Sequence, residues 1–271
     1  MHYSSPISNK NPEVNNRQLL IIIALFIGLI ISIILGLFVL INQIVNVIPV
    51  RVEQKIGALI TEEFKQKSNS SSTQIQLNKI VDNLENLLPD ENVSKRDYQV
   101  LYIPEDTVNA LAIPGDTIII YEGLLKEVKS QNELVMILSH EIGHFANRDH
   151  LRSLGNILLL RIVINSLFGG VEILQSGADI ANILAHAQYS QSQESKADEF
   201  GLNLLNKYYG HVAGATDFFD RLSEENKQQK ITDFLATHPH PEKRVKHLEK
   251  LIKKNNYSLG KKQDLFFKIQ E

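Results

Sequence analysis

The residues best suited to chemistry are His140, Glu141 and His144, in the run His140-Glu141-Ile142-Gly143-His144. In an α-helix, positions i and i+4 share one face, one turn apart. Two imidazoles at that spacing can converge on one tetrahedral ion. Glu141 lies on the adjoining part of the face, within reach of a water held by such an ion. Leu134, Val135, Ile137, Leu138 and Phe145 give this helix an apolar surface to pack into a core. A catalytic zinc usually takes three protein ligands and one open position. The chain has no cysteine, so the third ligand must be His, Asp or Glu. Glu194-Ser195-Lys196-Ala197-Asp198 is the best candidate, with two carboxylates at i and i+4 on a second helix. Glu194 completes a His2-Glu set. Asp198, one turn away, is placed to accept a hydrogen bond from the free N–H of a ligating imidazole. Neither run decides alone, since HExxH arises by chance in a chain of this size at about the per-cent level. The pair is stronger, because one helix lacks the ligand that the other offers. His150, His186, His211 and His247 have no such partners and read as ordinary surface or core histidines.

These residues need a frame. A helix is predicted from about Glu133 to Asn147, with Asn132 as its cap. A second, long helix is predicted from Ala178 to Tyr208, ending at Gly210. Tyr98–Ile103 and Thr117–Tyr121 read as short strands, the latter entered through Pro114-Gly115-Asp116. Leu77, Ile80, Val81, Leu84, Leu87 and Leu88 form a helical stripe stopped by Pro89. Two or three shorter helices complete the chain, and there is no internal repeat. From Leu154 to Leu174 the sequence is apolar, but Arg161 and Glu172 interrupt it and Gly169-Gly170 breaks it. That disfavours a second membrane span. The stretch is expected to be buried, to face a membrane or to cover the cleft.

Leu19 to Ile41 is a run of 23 uncharged residues, long enough to cross a hydrocarbon core of about 30 Å. It exceeds the apolar part of a secretory signal, and Asn42–Pro49 offers no small-x-small cleavage site, so a retained anchor is favoured. The positive charges flanking it tie, leaving its orientation open. Ile48, Val52, Ile56, Leu59, Ile60 and Phe64 repeat at helical spacing, either beside the bilayer or packed on the folded domain. The expected organisation is a disordered 1–18, a transmembrane helix over 19–41, an amphipathic helix and linker over 42–73, a metal-binding domain over 74–255 and a tail over 256–271. The formal net charge of -3 shows no basic excess, which argues against nucleic acid as a partner.

Four stretches closely resemble the membrane zinc peptidase family that includes the CAAX prenyl endopeptidases, the bacterial heat-shock membrane protease and the mitochondrial inner-membrane stress protease. They are Asn109-Ala110-Leu111-Ala112-Ile113-Pro114-Gly115 leading into Ile118–Tyr121, the His140–His144 run, Glu194–Asp198 with Gly201, and Thr237-His238-Pro239 with Arg244. The resemblance covers roughly Tyr98 to Leu251. It implies a gluzincin-type α+β fold, mainly helical with a small sheet. It implies one Zn2+ held by His140, His144 and Glu194, with Glu141 catalytic. Asn109, Ala110, Ile118, Ile119 and Ile120 are expected to border an extended polypeptide substrate, added as a strand. His238 is expected near the metal, as a resting cap or an oxyanion partner. Pro114, Gly115 and Arg244 are expected to be structural. One departure is Asp116, where the family often has a second glycine. The implied activity is an endopeptidase acting on membrane-associated or misfolded proteins, with residues 19–41 in the lipid bilayer. By analogy with single-anchor members, a bacterial plasma membrane with the domain facing outward is expected. Two other readings stay open: a binding module with a structural zinc, and a zinc hydrolase for non-peptide substrates.

Overall fold

A computed structural model describes residues 15–89, 96–169, 176–226 and 233–265. The apolar run lies in helix α1, Asn16–Val47. At 1.5 Å per residue its 32 residues extend about 48 Å, and most of its side chains are exposed. Residues 16–18 are helical rather than disordered, and the Asn15 side chain caps Arg17 N–H. Residues 1–14 of the expected disordered N-terminus lie outside the described residues.

Helix α2, Val50–Lys65, follows directly. Its buried face is Glu53, Gly57, Ile60, Thr61 and Phe64, whereas Val52 and Leu59 are exposed. The helix therefore packs on the domain through a face rotated from the apolar stripe read in sequence. Helix α3, Ser72–Glu85, comes next, capped by Ser71. The supposed linker before it is a tight connection in which Asn69 N–H donates to the Tyr102 carbonyl. α2 and α3 thus belong to one packed unit.

That unit is built around three strands, β1 (Gln99–Ile103), β2 (Ala110–Ile113) and β3 (Thr117–Tyr121), in the order β1-β3-β2. β1 runs parallel to β3, with Gln99 opposite Thr117, and β2 runs antiparallel, with Ala110 opposite Ile120. Alternate residues point to opposite faces. Val100, Tyr102, Ala110, Ala112, Ile118 and Ile120 enter the larger core. Leu101, Ile103, Leu111, Ile113, Ile119 and Tyr121 pack instead with Ile60 and Phe64 of α2. With both faces covered, the strands read as continuous apolar runs.

Eight further helices are described: α4 (Glu122–Glu127), α5 (Gln131–Ala146), α6 (Asp149–Phe168), α7 (Gly177–Ala185), α8 (Gln191–Tyr209), α9 (Asp217–Asn226), α10 (Asp233–Thr237) and α11 (Pro241–Lys254). α5 and α8 pack closely against each other, α5 also meets β2, and α7 covers α2 and β2.

Several expectations need correction. β3 lies between β1 and β2, so its edges are used by other strands and Ile118, Ile119 and Ile120 cannot pair with a substrate. The edge strand toward α5 is β2. Ser130, not Asn132, caps α5, its hydroxyl accepting from Glu133 N–H. Asn132 accepts from Gln263 N–H instead. The long helix expected over 178–208 is two helices, α7 and α8, and the second starts with a Ser190–Gln193 capping box. The expected tail docks in part: Val212 N–H donates to Ser258 and Gln131 N–H to Gln263. The apolar stretch after Leu154 is helical to Phe168 and runs beside α1. Gly170, Glu172 and Leu174 lie outside the described residues, as do 266–271.

Candidate active site

α5 carries His140, Glu141 and His144, and α8 carries Glu194 and Asp198. These helices approach closely because glycine faces backbone at two crossings. A Cβ on Gly143 would stand 3.0 Å from the Ala197 backbone, and one on Gly201 would stand 3.1 Å from His140 N. Larger residues would push α8 away and withdraw Glu194 from the histidines.

The two imidazoles meet with their Nε2 atoms 3.1 Å apart. Glu194 Oε1 lies 3.5 Å from His144 Nε2, and Glu194 Oε2 lies 3.7 Å from His140 Nε2. His238, just after α10, joins them: its Nδ1 is 3.4 Å from His140 Nε2 and 3.1 Å from Glu194 Oε1. All four residues are buried, and each has a ligand atom within 4.8 Å of the others. A tetrahedral ion with bonds of 2.0–2.1 Å has ligand–ligand edges of about 3.3–3.4 Å. The spacings bracket that value, so the four residues form a group that can hold a metal ion.

Carboxylates fix the imidazoles from behind. Asp198 Oδ1 is 3.0 Å from His140 Nδ1. Asp149 Oδ2, in the first turn of α6, is 3.0 Å from His144 Nδ1, and Gln193 donates to the other Asp149 oxygen. Where each Nδ1 carries its proton toward the carboxylate behind it, both Nε2 lone pairs face inward. Two lone pairs at that distance repel unless a cation lies between them. Arg244, from α11, donates to Asp198 through Nε and Nη2 at 2.9 and 2.6 Å. Its Nη1 sits 2.8 Å from Glu194 Oε2, an ion contact without hydrogen-bond alignment. Its guanidinium covers the Phe219 ring at 4.0 Å.

Charge is unbalanced. Among the described residues, Glu141, Asp149, Glu194 and Asp198 are buried around one guanidinium. Burial opposes ionisation of Glu194, but the charges of Arg244 and His238 outweigh it and hold the carboxyl well below its usual range. Asp198 is lowered against burial by Arg244 and His140. Burial and the Arg244 charge lower His140. His144 moves the other way: burial disfavours its charge, yet Asp149 and Glu194 raise it to about 10. Glu141 is fully buried, and neither carboxylate oxygen has a hydrogen-bond partner. His238 Nε2 lies 3.7 Å from Oε1. Both Glu141 oxygens are thus open to a group that enters the site.

The structure therefore brings His140, Glu141, His144, Glu194, Asp198, His238 and Arg244 together. Asn109 and Ala110 lie beside them: Thr237 Oγ1 donates to Asn109 Oδ1 at 3.2 Å, and His238 Nε2 lies 3.5 Å from the Ala110 carbonyl. Ile118, Ile119 and Ile120 stay in the sheet core. Pro114 and Gly115 form the β2–β3 turn, with Gly115 at φ 89° and Asp116 at φ 58°. Asp116 tolerates that geometry and receives bonds from Arg96 and Gln54. Asp149 escaped the sequence reading, although it stands only five residues after His144. So did Tyr189, whose ring stacks on His144 at 3.9 Å.

A helical domain with a small sheet and a buried His-Glu-His group beside a free glutamate defines the metallopeptidase class. Residues 73–252 match the model for Peptidase family M48, and the chain belongs to that family. It is 25% identical over 174 residues to mitochondrial metalloendopeptidase OMA1 of Schizosaccharomyces pombe, covering 62% of this chain and 51% of that one. It is 30% identical over 157 residues to metalloprotease LoiP of Escherichia coli, covering 55% and 60%. It is 25% identical over 171 residues to the beta-barrel assembly-enhancing protease of Yersinia pestis, covering 59% and 35%. The matched region thus spans about a third to three fifths of each of these relatives.

Proposed function

We propose that this chain is a membrane-anchored, zinc-dependent endopeptidase that hydrolyses extended segments of membrane-associated or misfolded proteins. One observation carries the reading. The Nε2 atoms of His140 and His144 converge with Glu194 in a buried site, beside a Glu141 carboxylate with no hydrogen-bond partner.

In this reading His140, His144 and Glu194 would hold one zinc ion, and His238 would join them at rest. Zinc supplies Lewis acidity, acidifying water and polarising the scissile carbonyl. Glu141 takes the proton of the attacking water and passes it to the leaving amine nitrogen as the C–N bond breaks. Asp198 and Asp149 hold the two imidazoles in the tautomer that turns Nε2 inward. Arg244 is committed to Glu194 and Asp198, so it positions rather than reacts. His238, once displaced, is within reach of the developing oxyanion.

The substrate is expected to pair with β2, the sheet edge nearest the metal group. In the closed arrangement Asn109 Oδ1 accepts from Ala110 N–H, and His238 lies against the Ala110 carbonyl. Both backbone groups must be released before a peptide can use them. Access further requires the 176–190 segment to move, because α7 packs on β2 and Tyr189 lies over His144.

The test pairs zinc content with casein cleavage for the full chain and Glu141→Gln. Both should carry one zinc, and the variant's rate should fall by about 10²–10⁴-fold. Undiminished cleavage by the zinc-loaded variant would overturn the role of Glu141.

A further inference from the structure

Helix α6 leaves the metal site and turns alongside α1. Arg148, at φ 56°, breaks the chain between α5 and α6. Its guanidinium donates to the carbonyls of Val45 and Ile48 near the C-terminal end of α1, which otherwise lack intrahelical partners. One turn on, Arg152 donates to the Asn42 carbonyl and the Asn46 side chain. Beyond it Gly155 meets Ile41, where a Cβ would stand 2.9 Å from Cγ2. Residue numbers rise along α6 as their partners fall along α1, so the helices are antiparallel.

The pairing continues past these contacts. Within its apolar run α1 is covered only along Ile30, Ile34, Phe38 and Ile41, at spacings of three and four, and the seam continues through Val45. Counting from the Gly155–Ile41 contact, Phe168 is level with Gly28, about 20 Å along the run. Leu160, Ile162, Ile164, Leu167 and Phe168 on α6 are exposed, Phe168 at 81%. They continue the exposed apolar surface of α1. Gly169 ends the helix at that depth, and α7 resumes at Gly177 against the Leu59 carbonyl of α2.

We propose that α6 is a re-entrant half-span whose outer half lies in the hydrocarbon core beside α1, with bilayer lipid as its partner. The proposal rests on the reading of Leu19–Ile41 as a membrane span. Arg161 fits a half-span. It lies six residues past Gly155, about 9 Å along the helix, and its long stem can carry the guanidinium back to the headgroups. The Ser166 hydroxyl is satisfied by the Ile162 carbonyl at 2.8 Å. Asn42, Asn46, Arg148 and Arg152 then form a polar collar at the membrane surface. Asp149, which orients His144, stands within that collar. The active site is thereby held at the bilayer surface, where its first substrates are chain segments emerging from the membrane.

The absence of cysteine makes this measurable. Leu160→Cys, Ile164→Cys and Phe168→Cys are each labelled with bimane in the full chain. They are reconstituted in phosphatidylcholine vesicles carrying bromine at shallow or deep acyl positions. Ile31→Cys in α1 and Leu259→Cys in the C-terminal stretch serve as references. The expected result is loss of fluorescence at Leu160→Cys with shallow bromine and at Phe168→Cys with deep bromine, as at Ile31→Cys, while Leu259→Cys responds only to aqueous iodide. Quenching of the α6 sites by iodide, with Ile31→Cys still lipid-quenched, would overturn the proposal by placing them in water. Protection of the α6 sites from both quenchers would overturn it too, pointing to a second copy of the chain on this face. Loss of lipid quenching at Ile31→Cys as well would show that the membrane reading of α1 itself fails.

Discussion

Among the described residues, two of the buried polar clusters are built on opposite principles. One joins Glu53 of α2 to Arg96, Asp116 and His150. Arg96 holds both Glu53 oxygens at 2.9 and 3.0 Å, and His150 Nε2 sits 2.8 Å from Glu53. Asp116 is bound by Arg96 and by Gln54. Every carboxylate oxygen there has a partner. The other cluster is the metal group, where carboxylates outnumber cations, the two imidazole Nε2 atoms stand 3.1 Å apart and Glu141 has no hydrogen bond. A cluster whose carboxylates are all paired, even with His150 Nδ1 left without a partner, fixes structure, here α2 to the β2–β3 turn and to the start of α6. An unsatisfied one is poised for a ligand and a reaction.

Substitutions should separate the two. His144→Ala is expected to have the largest effect, losing both metal and cleavage while the fold persists by circular dichroism. Full metal occupancy in that variant would break the contrast at once. Glu53→Gln should act on the other side. It is expected to cost about 3 kcal/mol of stability, as breaking a buried ion pair does, with metal content unchanged. Its effect should depend on pH. Burial would raise the Glu53 carboxyl, but His150 and Arg96 outweigh it and hold it at about 2. The group is thus depressed below its unfolded value, so its stabilisation is present above about pH 4.5 and lost as pH falls toward 2. The gap in melting temperature between wild type and Glu53→Gln should narrow over that window, and a constant gap would remove the ion-pair explanation. The smallest effect is expected from Asp149→Asn, which keeps the shape but weakens the hold on His144. Metal affinity should fall about 10–100-fold, measured by chelator competition. An unchanged affinity would reduce Asp149 to a packing residue.

Much of the metal group was legible in sequence because it is local. His140 and His144 share one face of α5, and Glu194 and Asp198 share one face of α8. Arg244 and His238 were placed by resemblance, yet their contacts with Asp198, Glu194 and Ala110 depend on long-range packing. Asp149 was missed because a left-handed Arg148 redirects the chain between two helices, and no periodicity announces such a break. β2 went unread as a strand because it is four residues long and two of them are alanine, a residue depleted in strands, whereas β3 is rich in isoleucine. Strand order is set by pairing partners far apart in sequence, so β3 was mistaken for an edge. The break between α7 and α8 was readable in principle from Ser190-x-x-Gln193. The Glu53–Arg96–His150 cluster had no short-range signal, since its members come from three distant segments.

X-ray absorption at the zinc edge of the purified full chain tests the central claim most directly. The account predicts one zinc with four nitrogen or oxygen ligands at about 2.0–2.1 Å, and one imidazole fewer in His238→Ala. A zinc bound only by water, or an imidazole count unchanged by that substitution, would contradict it.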